Sequence, residues 1–209
     1  MSVRLSEKAY HLIKEKIITL DLAPLSVIDE QTLREDLELG RTPIREALHR
    51  LSAEGLVLIA PRRGMFVADI SITDLAKIFE VRMAMEAYCA RLAATRVTPA
   101  QIAKMEETVR ALEEVSRDDW RGLMQIDERF HSLLYQSADN EFLADSLDRL
   151  HALSLRLWFL VVDRLGDVWS AIEQHRAIVD ALTDRDADRA ALLIRQHIAD
   201  FQNEIKEAL

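Results

Sequence analysis

Apolar positions recur along this chain at two different rhythms, and the rhythm changes about a third of the way through. Tyr10, Ile13, Ile17 and Leu20 stand at i, i+3, i+7 and i+10, one stripe of a helix over Ser6 to Thr19. Asp29 can cap a short second helix through about Leu37. Thr42-Pro43 opens a third, because proline is tolerated in a first helical turn, where its missing N–H costs nothing. That helix turns Ile44, Ala47, Leu48 and Leu51 inward, runs to Glu54 and stops at Gly55. Two short β-prone pieces follow, Leu56 to Ala60 and Met65 to Ala68, joined by Pro61-Arg62-Arg63-Gly64 as a hairpin turn. Helix, helix, turn, helix and hairpin is the order of a winged helix-turn-helix.

Beyond Ala68–Ser71 the pattern lengthens into six helical segments, read as 72–95, 99–116, 119–137, 140–162, 168–183 and 186–207. Thr98-Pro99 starts one of them, and Asp139-Asn140 and Asp184 to Asp186 mark breaks. The expected fold is mainly α. Residues 1–69 form the winged helix-turn-helix domain, and residues 70–209 form an antiparallel six-helix bundle.

Composition agrees with this. Only 5 Gly and 4 Pro among 209 residues are too few for the turns of an all-β chain. One cysteine, Cys89, excludes an internal disulfide and a cysteine-based zinc finger, and is read as a small buried hydrophobe. The N-terminus has no apolar signal core, and the best apolar run, Leu153 to Val162, is interrupted by Arg156. A cytoplasmic protein with no membrane span is expected. The net charge of −9 argues against general affinity for polyanions. It is unevenly spread: residues 1–69 carry 10 Lys+Arg against 11 Asp+Glu, leaving nearly all the acidity to the remainder.

That near-neutral first third holds the candidate DNA face. Arg41, Arg45 and His49 are four residues apart and share one side of the third helix with Thr42, opposite its apolar stripe. Arginine pairs bidentately with guanine O6 and N7 in the major groove. A threonine hydroxyl and helix N-terminal N–H groups suit phosphate. Arg62 and Arg63 at the hairpin tip can reach a minor groove or the backbone. On an isolated helix such arginines are an ordinary solvated face; the winged order and the turn arginines favour DNA.

The stretch Leu33 to Leu51, with Glu54-Gly55-Leu56-Val57 and Gly64-Met65-Phe66-Val67 after it, resembles the N-terminal domain of the GntR family of bacterial transcription regulators. Arg-Thr-Pro-Ile-Arg-Glu-Ala-Leu from Arg41 carries the resemblance almost position for position. It implies that Arg41 and Arg45 read bases, Thr42 contacts phosphate and the wing around Gly64 probes the minor groove. Three positions depart from the family pattern. Glu38 stands at the turn glycine, Gly40 at the capping serine, and Gln31 where some relatives carry another DNA-contacting arginine.

In the second part, Asp127 and His131 are i and i+4 and share a helical face. His175 and His197 lie on two further segments, and all three histidines border apolar stripes. Such imidazoles with a carboxylate suit Zn²⁺, Ni²⁺ or Mn²⁺. Spacing alone leaves open three hydrogen-bonded core histidines that never meet.

Residues 72–207 resemble the FCD ligand-binding domain of the FadR-like GntR subfamily. The matching elements are Glu80-Val81-Arg82 with Glu86, Asp127 with Phe130-His131, Asn140, Glu173 with His175, and His197. The six segments resemble the VanR-type group. The resemblance implies that Asp127, His131, His175 and His197 bind one divalent metal, zinc being the first expectation, and that an organic acid completes its coordination. Four protein ligands leave two positions on an octahedral ion. Arg82 is the candidate clamp for the effector carboxylate; the alternative is an intrahelical pair with Glu86. His151 is read as surface or structural, Trp158 and Trp169 as core or pocket wall.

The expected protein is a homodimer, joined through its C-terminal domain, that binds a palindromic operator and senses a small carboxylate. Two other readings stand beside it. In one the metal ion itself is the signal. In the other the chain is a helical metal-dependent hydrolase, since such a site can activate water; Glu128, Glu173 and Asp180 would be its bases, but no motif supports them.

Overall fold

The computed structural model describes residues 2–166 and 168–209. The chain divides into two compact units. One comprises Met1–Ile72 with Leu155–Leu160; the other comprises Thr73–Ser154 with Val161–Leu209.

In the first unit, α1 (Ser2–Ile18), α2 (Glu30–Leu37) and α3 (Arg41–Ala53) surround a small apolar core. Tyr10, Ile13 and Ile17 meet Leu33, Ile44, Leu48 and Leu51 there, all buried. Helix α1 starts earlier than the apolar stripe indicated and ends before Leu20, which has left the helix with φ 63°. The Asp29 side chain accepts from the backbone N–H groups of Gln31 and Thr32, at 2.7 and 3.3 Å, and so caps α2.

Strands β2 (Val57–Ala60) and β3 (Gly64–Val67) form the expected hairpin. The sequence reading missed β1 (Val27–Ile28), which pairs antiparallel with β3 and makes the order β1-β3-β2. Two residues are too few to show alternation, and the strand exists only because β3 offers it an edge.

The turn between α2 and α3 shows what the two departures from the family pattern do. Glu38 adopts φ 53°, the left-handed conformation a glycine would take freely. Its neighbour closes the helix end, the Leu39 N–H donating to the Arg34 carbonyl at 3.2 Å. Gly40 is the N-cap of α3 and supplies no side-chain bond. The turn therefore keeps its shape at a local cost of about 1–2 kcal/mol for the non-glycine residue.

The second unit is built from α4 (Leu75–Arg96), α5 (Pro99–Arg110), α6 (Trp120–Ser137), α7 (Glu141–Val161), α8 (Val168–Thr183) and α9 (Ala187–Ala208). Thr98 and Gln101 form a reciprocal capping box at the start of α5, and Asn140 caps α7. Helix α5 ends at Arg110 and gives way to a tighter 3₁₀ turn over Ala111–Glu114, where the sequence pattern extended the helix to 116. Helices α4 and α9 pack side by side, α8 lies against both, and α6 contacts α4, α5 and α8. Residues 155–160 of α7 count with the first unit. There Arg156 donates to the Ala68 carbonyl at 2.6 Å, and Trp158 is fully buried. Trp169 is only half-buried, with the Arg117 guanidinium over its ring. Cys89 is buried, and that burial pushes its thiol pKa up. Among the described residues no helix is long and apolar enough to cross a membrane.

Candidate functional site

Two sites emerge, one in each unit. In the first, α3 buries Ile44, Ala47, Leu48 and Leu51 and so turns its other side to solvent. Arg41, Thr42, Arg45 and His49 on that side are all exposed, as are Arg62, Arg63 and Gly64 at the hairpin tip. Gly64 has φ 104° and Arg62 φ 64°, so the tip is a tight turn that presents both arginines outward. The sequence reading missed one partner. Glu30, the first residue of α2, reaches both helix arginines, with its carboxylate oxygens 3.6 Å from Arg41 Nε and 3.4 Å from Arg45 Nε. One carboxylate thus holds two guanidinium groups side by side and removes one charge from the face.

Glu30 thus offsets part of the positive charge this face would offer to phosphate. Glu30→Gln is expected to steepen the salt dependence of binding to an unrelated duplex, by about one unit of log–log slope per extra phosphate engaged. The ratio of specific to non-specific affinity should fall. A fluorescence-anisotropy salt titration checks this, and an unchanged slope would refute it.

The second site is the buried interior of the helical unit. Asp127 and His131 come from adjacent turns of α6, His175 from α8 and His197 from α9. All four are buried, and one ligand atom from each lies within 4.8 Å of the others. Three Nε2 atoms and one carboxylate oxygen face each other. His175 Nε2 and His131 Nε2 are 3.2 and 3.3 Å from His197 Nε2. Asp127 Oδ1 is 3.4 Å from His175 Nε2, 3.7 Å from His131 Nε2 and 4.0 Å from His197 Nε2.

The three shorter separations match the spacing of ligands around a metal ion, and the 3.7 and 4.0 Å separations from Asp127 exceed it. Bonds of about 2.0–2.2 Å place neighbouring ligand atoms roughly 3.0–3.5 Å apart in octahedral or tetrahedral geometry. The outward ring nitrogens fit as well. His131 Nδ1 lies 3.0 Å from Glu86 Oε2 and 3.2 Å from the Tyr135 hydroxyl, and His197 Nδ1 lies 3.2 Å from Gln174 Oε1. A proton on each Nδ1 satisfies those acceptors and leaves the Nε2 lone pairs converging on one point. Converging lone pairs repel one another unless a proton or a cation lies between them.

Electrostatics favours the ligating protonation states. Burial would raise the Asp127 carboxyl, but the His131, His151 and His175 imidazoles around it hold it well below the usual carboxylate range. Burial pushes His197 down to about 4 and His175 well below its ordinary value, so both rings are neutral at pH 7.

Buried polar residues around the four ligands support this centre. His151, read as surface or structural, is buried, and its Nε2 lies 3.0 Å from Asp127 Oδ2. It steadies the one ligand that has two oxygens. No spacing signal marked it, because it sits 24 residues from its partner on a different helix. Arg82 is also buried, and forms the pair with Glu86 that the sequence left as the alternative. Its Nε donates to Glu86 Oε1 at 2.7 Å and its Nη1 to Ser154 Oγ at 2.5 Å. Among the described contacts, none engages Nη2.

A winged three-helix unit with arginines on an exposed helix face, joined in one chain to a helical unit with a buried polar centre, is an architecture of DNA-binding regulators. Comparison with known proteins makes this specific. Residues 5–67 match the gntR family of bacterial regulatory proteins, and residues 77–200 match the FCD domain. The chain belongs to the GntR family, in the group that carries an FCD domain. It is 30% identical to the HTH-type transcriptional repressor GlaR of Escherichia coli K12, over 90% of each chain. It is 28% identical to the HTH-type transcriptional repressor RspR of the same strain, over 97% of this chain and 89% of RspR. Among solved structures, E. coli McbR/YncC superposes with a TM-score of 0.83 at 19% identity, over 97% of both chains. The protein is a DNA-binding transcription regulator and not an enzyme.

Proposed function

We propose that this regulator contains one divalent metal, held by Asp127, His131, His175 and His197, and that it senses a small organic acid at that metal. The observation that carries this reading is the convergence of three Nε2 atoms and Asp127 Oδ1 in a buried interior. Zinc is the expected ion in the purified protein, and nickel or manganese are compatible with the same donors. The metal supplies a Lewis-acidic centre for the carboxylate oxygens of the effector. The chain's own part is to fix the ligands, exclude bulk water and offer Nη2 of Arg82 to the bound acid as a charge-assisted donor.

Residues 1–69 act as the DNA-binding domain. Arg41 and Arg45 read bases, Thr42 binds phosphate, His49 completes the helix face, and Arg62, Arg63 and Gly64 enter the adjacent minor groove. Their exposure supports this assignment. Residues 70–209 carry the effector site and the homodimer interface, so that two recognition helices address the half-sites of a palindromic operator. A regulator of this kind works in the cytoplasm. The acid changes operator affinity only as far as it binds the DNA-competent and incompetent arrangements unequally.

The test is a thermal-shift screen of hydroxy acids and simple mono- and dicarboxylates, on zinc-loaded and chelator-stripped protein. At least one acid is expected to raise the melting temperature of the loaded form and leave the stripped form unchanged. Equal shifts in both forms would place the acid away from the metal.

A further inference from the structure

We propose that Glu86 is a positioning residue for the metal, and that the three histidine ligands are held by three unequal supports: a carboxylate, an amide and none. This deepens the metal-centre reading above and rests on it. A histidine that ligates through Nε2 must carry its proton on Nδ1, and whatever accepts that proton sets both the tautomer and the ligand strength of the ring.

For His131 the candidate acceptor is Glu86 Oε2, a buried oxygen that makes no well-aligned hydrogen bond among the described residues and stands 3.0 Å from Nδ1, which also meets the Tyr135 hydroxyl at 3.2 Å. Glu86 is fully buried on α4, and its other oxygen takes the Arg82 Nε–H at 2.7 Å. Arg82 in turn is anchored to Ser154 of α7. The guanidinium keeps Glu86 anionic in a dry interior, and the anion pulls on the Nδ1 proton. His131, the ligand with a buried carboxylate behind its ring, is the anchor ligand. For His197 the acceptor is the neutral Gln174 Oε1 at 3.2 Å, a weaker pull. Among the described residues His175 has no acceptor: its Nδ1 is buried without a hydrogen-bond partner, and its ring stacks on Phe130 with centroids 3.9 Å apart. His175 is placed by packing alone and is the ligand least strongly committed to the ion.

A plain structural ion pair between Arg82 and Glu86 would tie α4 into the core and have no effect on the chemistry of the metal. The two roles separate experimentally. Glu86→Gln alone strands a buried guanidinium and risks the fold, so the double variant Arg82→Met/Glu86→Gln is made beside it, removing both charges together. Zinc affinity is measured by competition with a chromophoric chelator, and the His131 ring tautomer by ¹⁵N NMR of the metal-free protein. The double variant is expected to bind one zinc with affinity about 10–100-fold weaker than wild type. Its His131 should shift from the Nδ1–H form to a mixture. Gln174→Leu should weaken zinc binding less. Zinc affinity within threefold of wild type and an unchanged tautomer in the folded double variant would overturn the assignment of Glu86, while leaving the metal centre in place. Wild-type protein that takes up no zinc would overturn the metal centre and this inference with it.

Discussion

Arg45→Ala is expected to abolish specific operator binding while leaving the helical unit intact. Arg45 lies at the middle of the exposed face of α3, one turn from Arg41, and buries nothing of its own helix. A bidentate arginine–guanine pair contributes about 1–3 kcal/mol of discrimination, and a dimer on a palindrome loses it twice. The expected loss is about 2–6 kcal/mol, from roughly thirtyfold to more than ten-thousandfold in affinity. Arg45 also shares Glu30 with Arg41, so its removal leaves Glu30 facing the groove with one partner fewer and adds repulsion against phosphate. Binding to an operator selected from random duplexes is the measurement, with metal content and melting temperature as controls. Operator affinity within twofold of wild type would exclude Arg45 as a reader.

His175→Ala carries the second large effect. The ring is fully buried between Phe130 and the other imidazoles and provides one of three nitrogen donors. Its loss opens a cavity and leaves Asp127, His131 and His197 as an incomplete set. The variant is expected to purify with less than about a tenth of an equivalent of metal, where wild type holds about one. Stabilisation by metal should disappear too. A ligand at a thousandfold excess over its Kd contributes about 4 kcal/mol, on the order of 10 °C for a domain of this size. Phe130 stacking is lost in either case, so chelator-stripped wild type is the proper reference for the cavity cost. Full metal occupancy in the variant would mean that the ligand set is wrong.

How much of this was legible in the sequence depends on the range of the interaction. The elements of the first unit carry local signals: the apolar stripe of Tyr10, Ile13 and Ile17, the Asp29 cap, Pro43, and the turn before Gly64. Each is written within a few residues, so each is readable. Strand β1 is not, because two residues become a strand only through pairing with β3. The Asp127–His131 spacing is local and visible, but periodicity places no constraint on where α8 and α9 bring His175 and His197. A family resemblance supplied what spacing did not, and the geometry now shows the four donors together. His151, Gln174 and Glu30 lay outside both sources. Their partners sit on other elements, 24, 23, and 11 and 15 residues away, and no motif links them. Arg82 shows the same limit: the i+4 pair with Glu86 was legible, but its burial and its reach to Ser154 were not.

The uneven charge of the chain now has a structural meaning. Arg41 and Arg45 share one exposed helix face, with Glu30 between them, and Arg62 and Arg63 share the hairpin tip, while the exposed Arg50 is paired with Glu7 and Glu54. Acidity elsewhere is expected to restrict where DNA docks and to keep non-specific affinity low.

An organic acid is expected to act through the metal on DNA binding. The most direct test is operator affinity, by fluorescence anisotropy, for three samples: zinc-loaded wild type, chelator-stripped wild type, and His175→Ala. Each is titrated with the acid that gave the largest thermal shift. The acid is expected to change operator affinity at least tenfold for the zinc-loaded protein and less than twofold for the other two. A tenfold change on adding zinc alone, with no further effect of the acid, would contradict it and make the ion itself the signal.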